Sequence, residues 1–254
     1  VPEGDTIFRT ARALDQALAG RVLARFEAPR LRYAPFPAGT VVEGAEAVGK
    51  HCLVRFDDGR VLHTHMMMTG SWHLYRPGER WRRSRSAMRA LVEVPEWVAV
   101  CFAAPVVELT DQAPVDHLGP DLCRPDADLD DAVRRMGELS APDRTIGEAL
   151  LDQRVAAGIG NMWKAEACFT CGIDPFTAVG DLDDAERRRL LETAASLLRA
   201  GSAGARPPMA VYGRRDRPCP RCGTTITWAP QGEQRRGTYW CPACQPPRSG
   251  NEAG

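Results

Sequence analysis

Lysine is almost missing from this 254-residue chain: of its 33 basic residues only Lys50 and Lys164 are lysines, and the rest are arginine. Arginine is permanently charged, whereas a lysine amine can give up its proton, so each lysine marks a place where a titratable amine could be needed. Net charge is missing too. The 33 basic residues balance 33 acids, and overall charge gives no support to a nucleic-acid partner. No apolar run approaches the roughly 20 residues of a membrane span, and no charged-then-apolar leader stands ahead of the first helical pattern. The expectation is therefore a soluble, intracellular protein with no membrane partner. Internal repeats are absent. The cysteines number nine, an odd count that suits metal binding in a reducing compartment better than a disulfide framework.

With 44% hydrophobic residues the chain can build a real core, in one large domain or two modest ones. Ile7, Ala11, Leu14 and Leu18 fall at helical spacing over 5–19, with Asp5 as N-cap and Gly20 as stop. Residues 21–48 are broken by Pro29, Pro35, Pro37 and Gly39 and read as short strands and loops. Runs 51–56 and 60–65 flank Asp58-Gly59, a hairpin signal, with Lys50 at its entry. Met66, Met67 and Met68 follow, and three in a row cannot share one face of a strand, so at least one points away from the core. A basic loop spans 76–87. A second hairpin, 90–94 with 97–102 around Pro95-Glu96, completes a β-rich first half.

The Asp- and Pro-rich stretch 120–131 reads as a linker. Beyond it, helices are expected over 146–152, over 162–169 capped by Asn161, and over 182–200 capped by Asp181. The last would bury Leu190, Leu191, Ala194, Leu197 and Leu198. Residues 201–208 read as flexible, and the tail after Pro246 as disordered.

Cys219-x2-Cys222 and Cys241-x2-Cys244 are two knuckles whose spacing puts four thiolates around one tetrahedral Zn²⁺, with a β-hairpin of 224–228 and 238–240 between them. Four protein ligands leave no open position, so this single zinc is structural. Cys168 and Cys171 repeat the spacing without a second pair and read as helix-end packing. Around the knuckles, from 206 to 248, eight arginines face two acids, Asp216 and Glu233; the segment fits a phosphate-binding surface or a solvated face. Asn161 follows Ala157-Gly158-Ile159-Gly160 and is a plain N-cap or part of an anion site. His63 and His65 share a strand face and read as hydrogen-bonded structural histidines.

At the other end, Val1-Pro2-Glu3-Gly4-Asp5 is an ordinary chain start or something reactive. If Val1 is a translated start codon that is then removed, Pro2 offers a free secondary amine beside a carboxylate, held against a helix N-terminus. Free α-amines titrate at about 7.7–8.0, and the positive end of a helix dipole disfavours the protonated form. Pro2 could then act as a Schiff-base nucleophile.

Together, Pro2-Glu3-Gly4-Asp5, Gly49-Lys50, the 65–70 segment, Leu151-Asp152-Gln153 through Asn161, and the cysteine finger with Arg236 before Thr238-Tyr239-Trp240-Cys241 make the chain resemble the Fpg/Nei family of DNA glycosylases with lyase activity. The resemblance covers nearly the whole length. It implies an α+β fold: a catalytic β-sandwich domain with a flanking helix over 1–120, a helical helix-two-turn-helix domain over 121–205, a zinc-finger β-hairpin over 206–247 and a disordered tail over 248–254. DNA would bind in the cleft between the domains. It also implies roles. Pro2 would attack C1′ of a damaged nucleotide flipped from the duplex, Glu3 would serve as general acid and base, and Lys50 would donate a proton and touch phosphate. Asn161 and Arg236 would hold the backbone, with Arg236 promoting the second elimination, and Met67 and Met68 would wedge the duplex.

The chain also departs from the Fpg pattern. The Arg-Arg-Phe loop element of Fpg-type members is replaced by Ala103-Ala104-Pro105-Val106-Val107, and the terminus is not Pro-Glu-Leu-Pro. Both favour the Nei, or endonuclease VIII, branch and oxidised pyrimidines. Met67 and His117 stand where that branch tends to carry Gln and Arg, and His117 is a candidate DNA contact or a structural histidine. The expected protein is a monomeric, cytoplasmic, nucleoid-associated base excision repair enzyme acting on damaged DNA by β,δ-elimination. A non-catalytic zinc-ribbon DNA-binding protein and a monofunctional glycosylase are the alternatives.

Overall fold

In the computed structural model, which describes residues 2–248, the chain divides after Asp116 into two units. The first opens on helix α1 (Gly4–Leu18). Its N-cap is Glu3 and not Asp5: the Glu3 carbonyl accepts from the amides of Thr6 at 2.9 Å and Ile7 at 3.1 Å. Gly4 already takes up the helix, which carries Asp5 into the first turn, where it is fully buried. Gly20, at φ +72°, follows the last turn as a left-handed stop.

Nine strands follow: β1 (Arg21–Val22), β2 (Arg25–Glu27), β3 (Val41–Val48), β4 (His51–Phe56), β5 (Val61–His65), β6 (Ser71–Tyr75), β7 (Met88–Val94), β8 (Trp97–Phe102) and β9 (Val106–Thr110). They form two antiparallel sheets, ordered β1-β3-β4-β5-β9 and β2-β7-β8-β6. Alternation along each strand explains the sandwich. Val54, Phe56 and Leu62 of one sheet and Val92, Val94 and Ala99 of the other point to a shared core, which Ile7, Leu14 and Leu18 of α1 close. The outer face of the four-stranded sheet is covered by the basic loop, through Trp81 and Ala87. The outer face of the five-stranded sheet carries Leu53 and Val61 under Ala113.

Sequence reading places both hairpins correctly and misses β9. Strand β9 pairs with β5 from His65↔Val106 to Val61↔Thr110, so the stretch that departs from the Fpg loop pattern in part completes the sheet.

The second unit holds α2 (Leu129–Leu139), α3 (Ile146–Ala149), α4 (Asn161–Cys171), α5 (Asp184–Ser202) and the hairpin β10 (Thr227–Gln231) with β11 (Arg236–Trp240). The stretch 120–131 is not a linker. Leu122 is fully buried, its amide donates to Ala157 O at 3.1 Å, and Ala157 N donates to Pro120 O at 2.9 Å. Asp128 caps α2 by accepting from Asp131 N, so an acidic run that looked like solvent-exposed chain is a helix start. Helix α5 begins two residues later than expected, with Asp183 and Glu186 forming a reciprocal capping box; Ala195 joins the buried face where Leu197 is only half-buried. Gly201 and Ser202 belong to that helix. Arg248, assigned to the tail from sequence, donates to Asp181 O at 2.6 Å and pairs with Glu186; residues 249–254 lie outside the described residues. Among the described residues no helix is long and apolar enough to cross a membrane.

Candidate functional site

In the first unit, Pro2 is half-buried and directly precedes the N-cap of α1. The Glu3 side chain is buried at 2% exposure, at the N-terminal end of the helix. Lys50 occupies a two-residue turn: Val48↔His51 is the last pair of β3 with β4, and Gly49 supplies the left-handed residue at φ +58°. Lys50 thus closes one hairpin and opens the next. Its charge, together with burial as the larger cause, pushes the His65 imidazole down from its ordinary value. His65 and His63 are hydrogen-bonded, as expected from sequence.

The methionines that follow divide sharply. Met66 is buried at 2%, whereas Met67 and Met68 are 49% and 75% exposed. A tight turn holds them out. Gly70 N donates to Met66 O at 2.8 Å, Thr69 Oγ1 donates to Ala103 O at 2.9 Å, and Met67 N donates to His65 Nδ1 at 3.2 Å while Met67 itself sits at φ +45°. A methionine held in the left-handed region costs free energy, which the turn's three hydrogen bonds offset. The turn depends on Gly70, where a Cβ would stand 2.8 Å from Met66 Cα and O and 2.9 Å from Ala104 Cα. Gly70→Ala is therefore expected to destabilise the first unit by about 1–3 kcal/mol, read as a lowered urea midpoint with unchanged slope.

In the second unit Asn161 is not the cap of α4 but its first residue, the cap being Gly160. This frees the Asn161 amide to reach the hairpin: Nδ2 donates to Gly237 O at 2.7 Å, one residue beyond Arg236. The loop before it is clamped by Gln153, which donates to Leu151 O and Ile159 O and accepts from Gly158 N. Gly158, at φ +101°, supplies the turn. Arg236 is exposed at the start of β11, with its Nε on Gln234 at 2.8 Å. His117 is exposed in the turn that opens this unit.

Behind Asn161 and Arg236 lies Lys164, which is fully buried. Its Nζ donates to Thr238 Oγ1 at 2.6 Å and Gln231 Oε1 at 3.2 Å, and Gln231 Nε2 donates onward to Thr145 Oγ1 and Pro175 O. A buried ammonium is tolerated only when its donors are satisfied, so this lysine joins helix α4 to both strands of the hairpin. Glu166, one turn position on, accepts from the amides of Ala210, Val211 and Tyr212 at 2.8–3.0 Å and fixes the entry to the cysteine finger.

The four finger sulfurs, of Cys219, Cys222, Cys241 and Cys244, lie within 4.8 Å of one another. The hairpin is shifted from the expected 224–228 and 238–240 to β10 and β11, with Pro230 accommodated in an outer strand. Hydrogen bonding by Thr224 pulls the Cys222 thiol down to about 6, whereas burial pushes Cys241 up and Cys244 up to about 12. Four thiols this close resist ionising together, and a divalent cation removes that conflict. The donor set fits a metal held by four thiolates.

Within the first unit, Ile7 of α1 and Met66 share one core, so the chain start and the methionine turn rest on the same scaffold. Within the second, Asn161, Lys164 and the Arg236 strand are joined directly. Sequence reasoning named Gln153 only as part of a motif, without its clamping role, and missed Glu166 and the partners of Lys164. The rarity of lysine was the only signal that pointed to the last.

Comparison with known proteins gives the same architecture a family. A profile of the formamidopyrimidine-DNA glycosylase N-terminal domain matches residues 1–105, and one of the formamidopyrimidine-DNA glycosylase H2TH domain matches 118–206. A probable endonuclease 8 2 of Streptomyces coelicolor is 41% identical, covering 100% of this chain and 98% of that protein. The DNA-(apurinic or apyrimidinic site) lyase Nei2 of Mycolicibacterium smegmatis is 36% identical over 96% of this chain and 99% of that one. The crystal structure of Lactococcus lactis formamidopyrimidine-DNA glycosylase, bound non-covalently to DNA with an AP site, matches with a TM-score of 0.81 at 21% identity, covering 96% of this chain and 100% of that one. That last likeness establishes the fold, and the endonuclease 8 relatives establish the kinship: the chain belongs to the Fpg/Nei family, that of formamidopyrimidine-DNA glycosylase and endonuclease 8.

Proposed function

We propose that this protein is a bifunctional DNA glycosylase and AP lyase of base excision repair, which releases oxidised bases, pyrimidines foremost, and cuts the strand by β,δ-elimination. The observation that carries the reading is Pro2-Glu3 seated at the N-cap of α1, in a chain 36% identical to a named AP lyase. With residue 1 removed, the Pro2 nitrogen is a secondary amine. It attacks C1′ of a flipped nucleotide, the base leaves with a proton, and the opened sugar remains as an iminium on Pro2. Glu3, buried beside it, relays protons to and from the sugar, and Lys50 supplies the proton that the leaving base takes. The iminium acidifies the C2′ hydrogen, so loss of that proton expels the 3′ phosphate. A second elimination, assisted by Arg236, expels the 5′ phosphate.

The exposed Met67 and Met68 suit the space a flipped nucleotide leaves, because flexible apolar side chains can stack against the bases on either side. Asn161 and Arg236, linked through Gly237, suit contacts with neighbouring phosphates, and His117 serves as a further contact. The cysteine set holds one zinc ion as a structural centre, whose chemistry is to fix the hairpin that bears Arg236.

The reading is tested by incubating the protein with duplexes carrying an oxidised pyrimidine, 8-oxoguanine or an abasic site, with borohydride present. A covalent complex on the first and third, and weaker trapping on 8-oxoguanine, is the expected result. Base release without any trapping would instead make the enzyme monofunctional. Binding without either would make the protein a non-catalytic DNA-binding module.

A further inference from the structure

The chain has seven methionines, and the structure sorts them by their access to water. Met66, Met88, Met136 and Met162 are buried, Met209 is half-buried, and only Met67 and Met68 are exposed. Val22 and Leu139 are the only other large apolar side chains left exposed among the described residues. Neither Met67 nor Met68 joins an apolar core, whereas Met66, in the same three-residue run, lies inside the sandwich core. The hydrogen bonds from Gly70 N to Met66 O and from Thr69 Oγ1 to Ala103 O hold the turn, and the two thioethers stay outside.

A duplex wedge needs a flexible apolar side chain, and leucine would meet that need. A thioether adds a reaction that leucine lacks. Its sulfur lone pair attacks one oxygen of a hydroperoxide; an S–O bond forms, the O–O bond breaks, and the departing oxygen takes the proton released from the attacked one. With hydrogen peroxide the products are a sulfoxide and water. The sulfur loses two electrons and the peroxide gains them. The oxidant must reach the sulfur, so the burial that shields Met66 leaves its two neighbours open. A sulfoxide is polar and accepts hydrogen bonds from water, and insertion between stacked bases strips that water away.

We propose that Met67 and Met68 form a reversible oxidation site, at which a hydroperoxide disables the wedge and leaves the fold and the Pro2 chemistry intact. The proposal rests on the wedge reading given above. Reversal takes a methionine sulfoxide reductase and a dithiol: the sulfoxide oxygen leaves as water, the sulfur regains two electrons, and the dithiol becomes a disulfide. Base release is thereby held back while peroxide persists and restored when reducing power returns. Thiols compete for the same oxidant, and Cys222 is exposed. Their sulfenic acid and disulfide products return to thiol with dithiothreitol, whereas the sulfoxides need the reductase, so the two effects separate.

The test treats the full-length protein with hydrogen peroxide, then resets the cysteines with dithiothreitol and Zn²⁺. Fragment masses locate the added oxygen, and single-turnover base release from an oxidised-pyrimidine duplex reads the wedge, because flipping precedes the chemistry. One added oxygen is expected on each of Met67 and Met68 and none on Met66. Base release should fall about tenfold or more, with the thermal midpoint unchanged, and reductases for both sulfoxide epimers should restore it. The double variant Met67→Leu, Met68→Leu, judged against its own untreated rate, should lose nothing to peroxide. Full activity in a parent oxidised at both residues overturns the proposal. Equal oxidation of Met66, an equal loss in the leucine variant, or a loss that the reductases do not reverse also overturns it. The underlying readings are checked without oxidant. Parent-level base release by Met67→Ala, Met68→Ala removes the wedge, and no base release by the parent removes the glycosylase assignment; the oxidation site falls with either.

Discussion

Extended so that a residue stays bonded to Pro2, the protein is expected to bind abasic-site DNA with its affinity intact and to form no covalent complex under borohydride. An acylated proline nitrogen is an amide, its lone pair delocalised into the carbonyl, and it cannot add to C1′. Strand cleavage should fall on the order of 10³-fold or more, because the nucleophile is the one group the reaction cannot route around. Affinity should survive, since the proposed backbone contacts lie at Asn161 and Arg236. Intact mass fixes which form is present, and trapping yield on an abasic duplex reads the chemistry. Pro2→Gly, a primary amine in the same place, should trap weakly and not at all efficiently. Undiminished trapping by the extended protein would give the imine to a lysine. Lys164 is fully buried among Thr238 and Gln231, which would leave Lys50.

What could be read from sequence was what is local in sequence. The cysteine knuckles, the Asp58-Gly59 hairpin and the outward methionines are signals complete within a few residues, and periodicity gave a β-rich first half ahead of helical stretches. What could not be read depends on register or on contacts between distant segments. Glu108 meets His63 across 45 residues, and Glu166 meets Ala210 across 44. Neither separation has a spacing rule. Strand β9 was missed because its meaning lies in pairing with β5, and α2 because an acidic run caps a helix as readily as it solvates a loop. Asn161 was misplaced by a single position. That shift changed its partner from its own helix to the hairpin, a change of role that no cap preference reveals.

Removing the metal is expected to abolish DNA binding while leaving the first unit folded. Two kinds of interaction hold the β10–β11 hairpin, and their magnitudes decide the outcome. At one end, Lys164, Gln231, Thr238 and Asn161 tie it to the helices, the neutral hydrogen bonds contributing about 0.5–1.5 kcal/mol each and the two from the Lys164 ammonium about 1.5–3 kcal/mol each. At the other end four sulfurs lie within 4.8 Å of one another, a set that could hold one ion, and structural zinc in finger peptides contributes roughly 10–16 kcal/mol. The metal term exceeds these bonds taken together, and a two-stranded hairpin is marginal by itself. Without the ion the knuckles open, Tyr239 and Cys241 leave the small core they share with Phe169 and Val211, and Arg236 loses its fixed strand. Chelation should therefore lower affinity for an abasic duplex by about 100-fold or more, a loss of about 2.7 kcal/mol or more. Elemental analysis of the parent protein should give one zinc per chain. The thermal transition of the first unit, whose sandwich core contains no part of the finger, should stay where it was. Readdition of Zn²⁺ under reducing conditions should restore binding, and Cys222→Ser should reproduce the loss without chelator. Undiminished binding after chelation would mean that the Lys164 network alone holds Arg236 in place, and would move the structural role from the metal to the buried lysine.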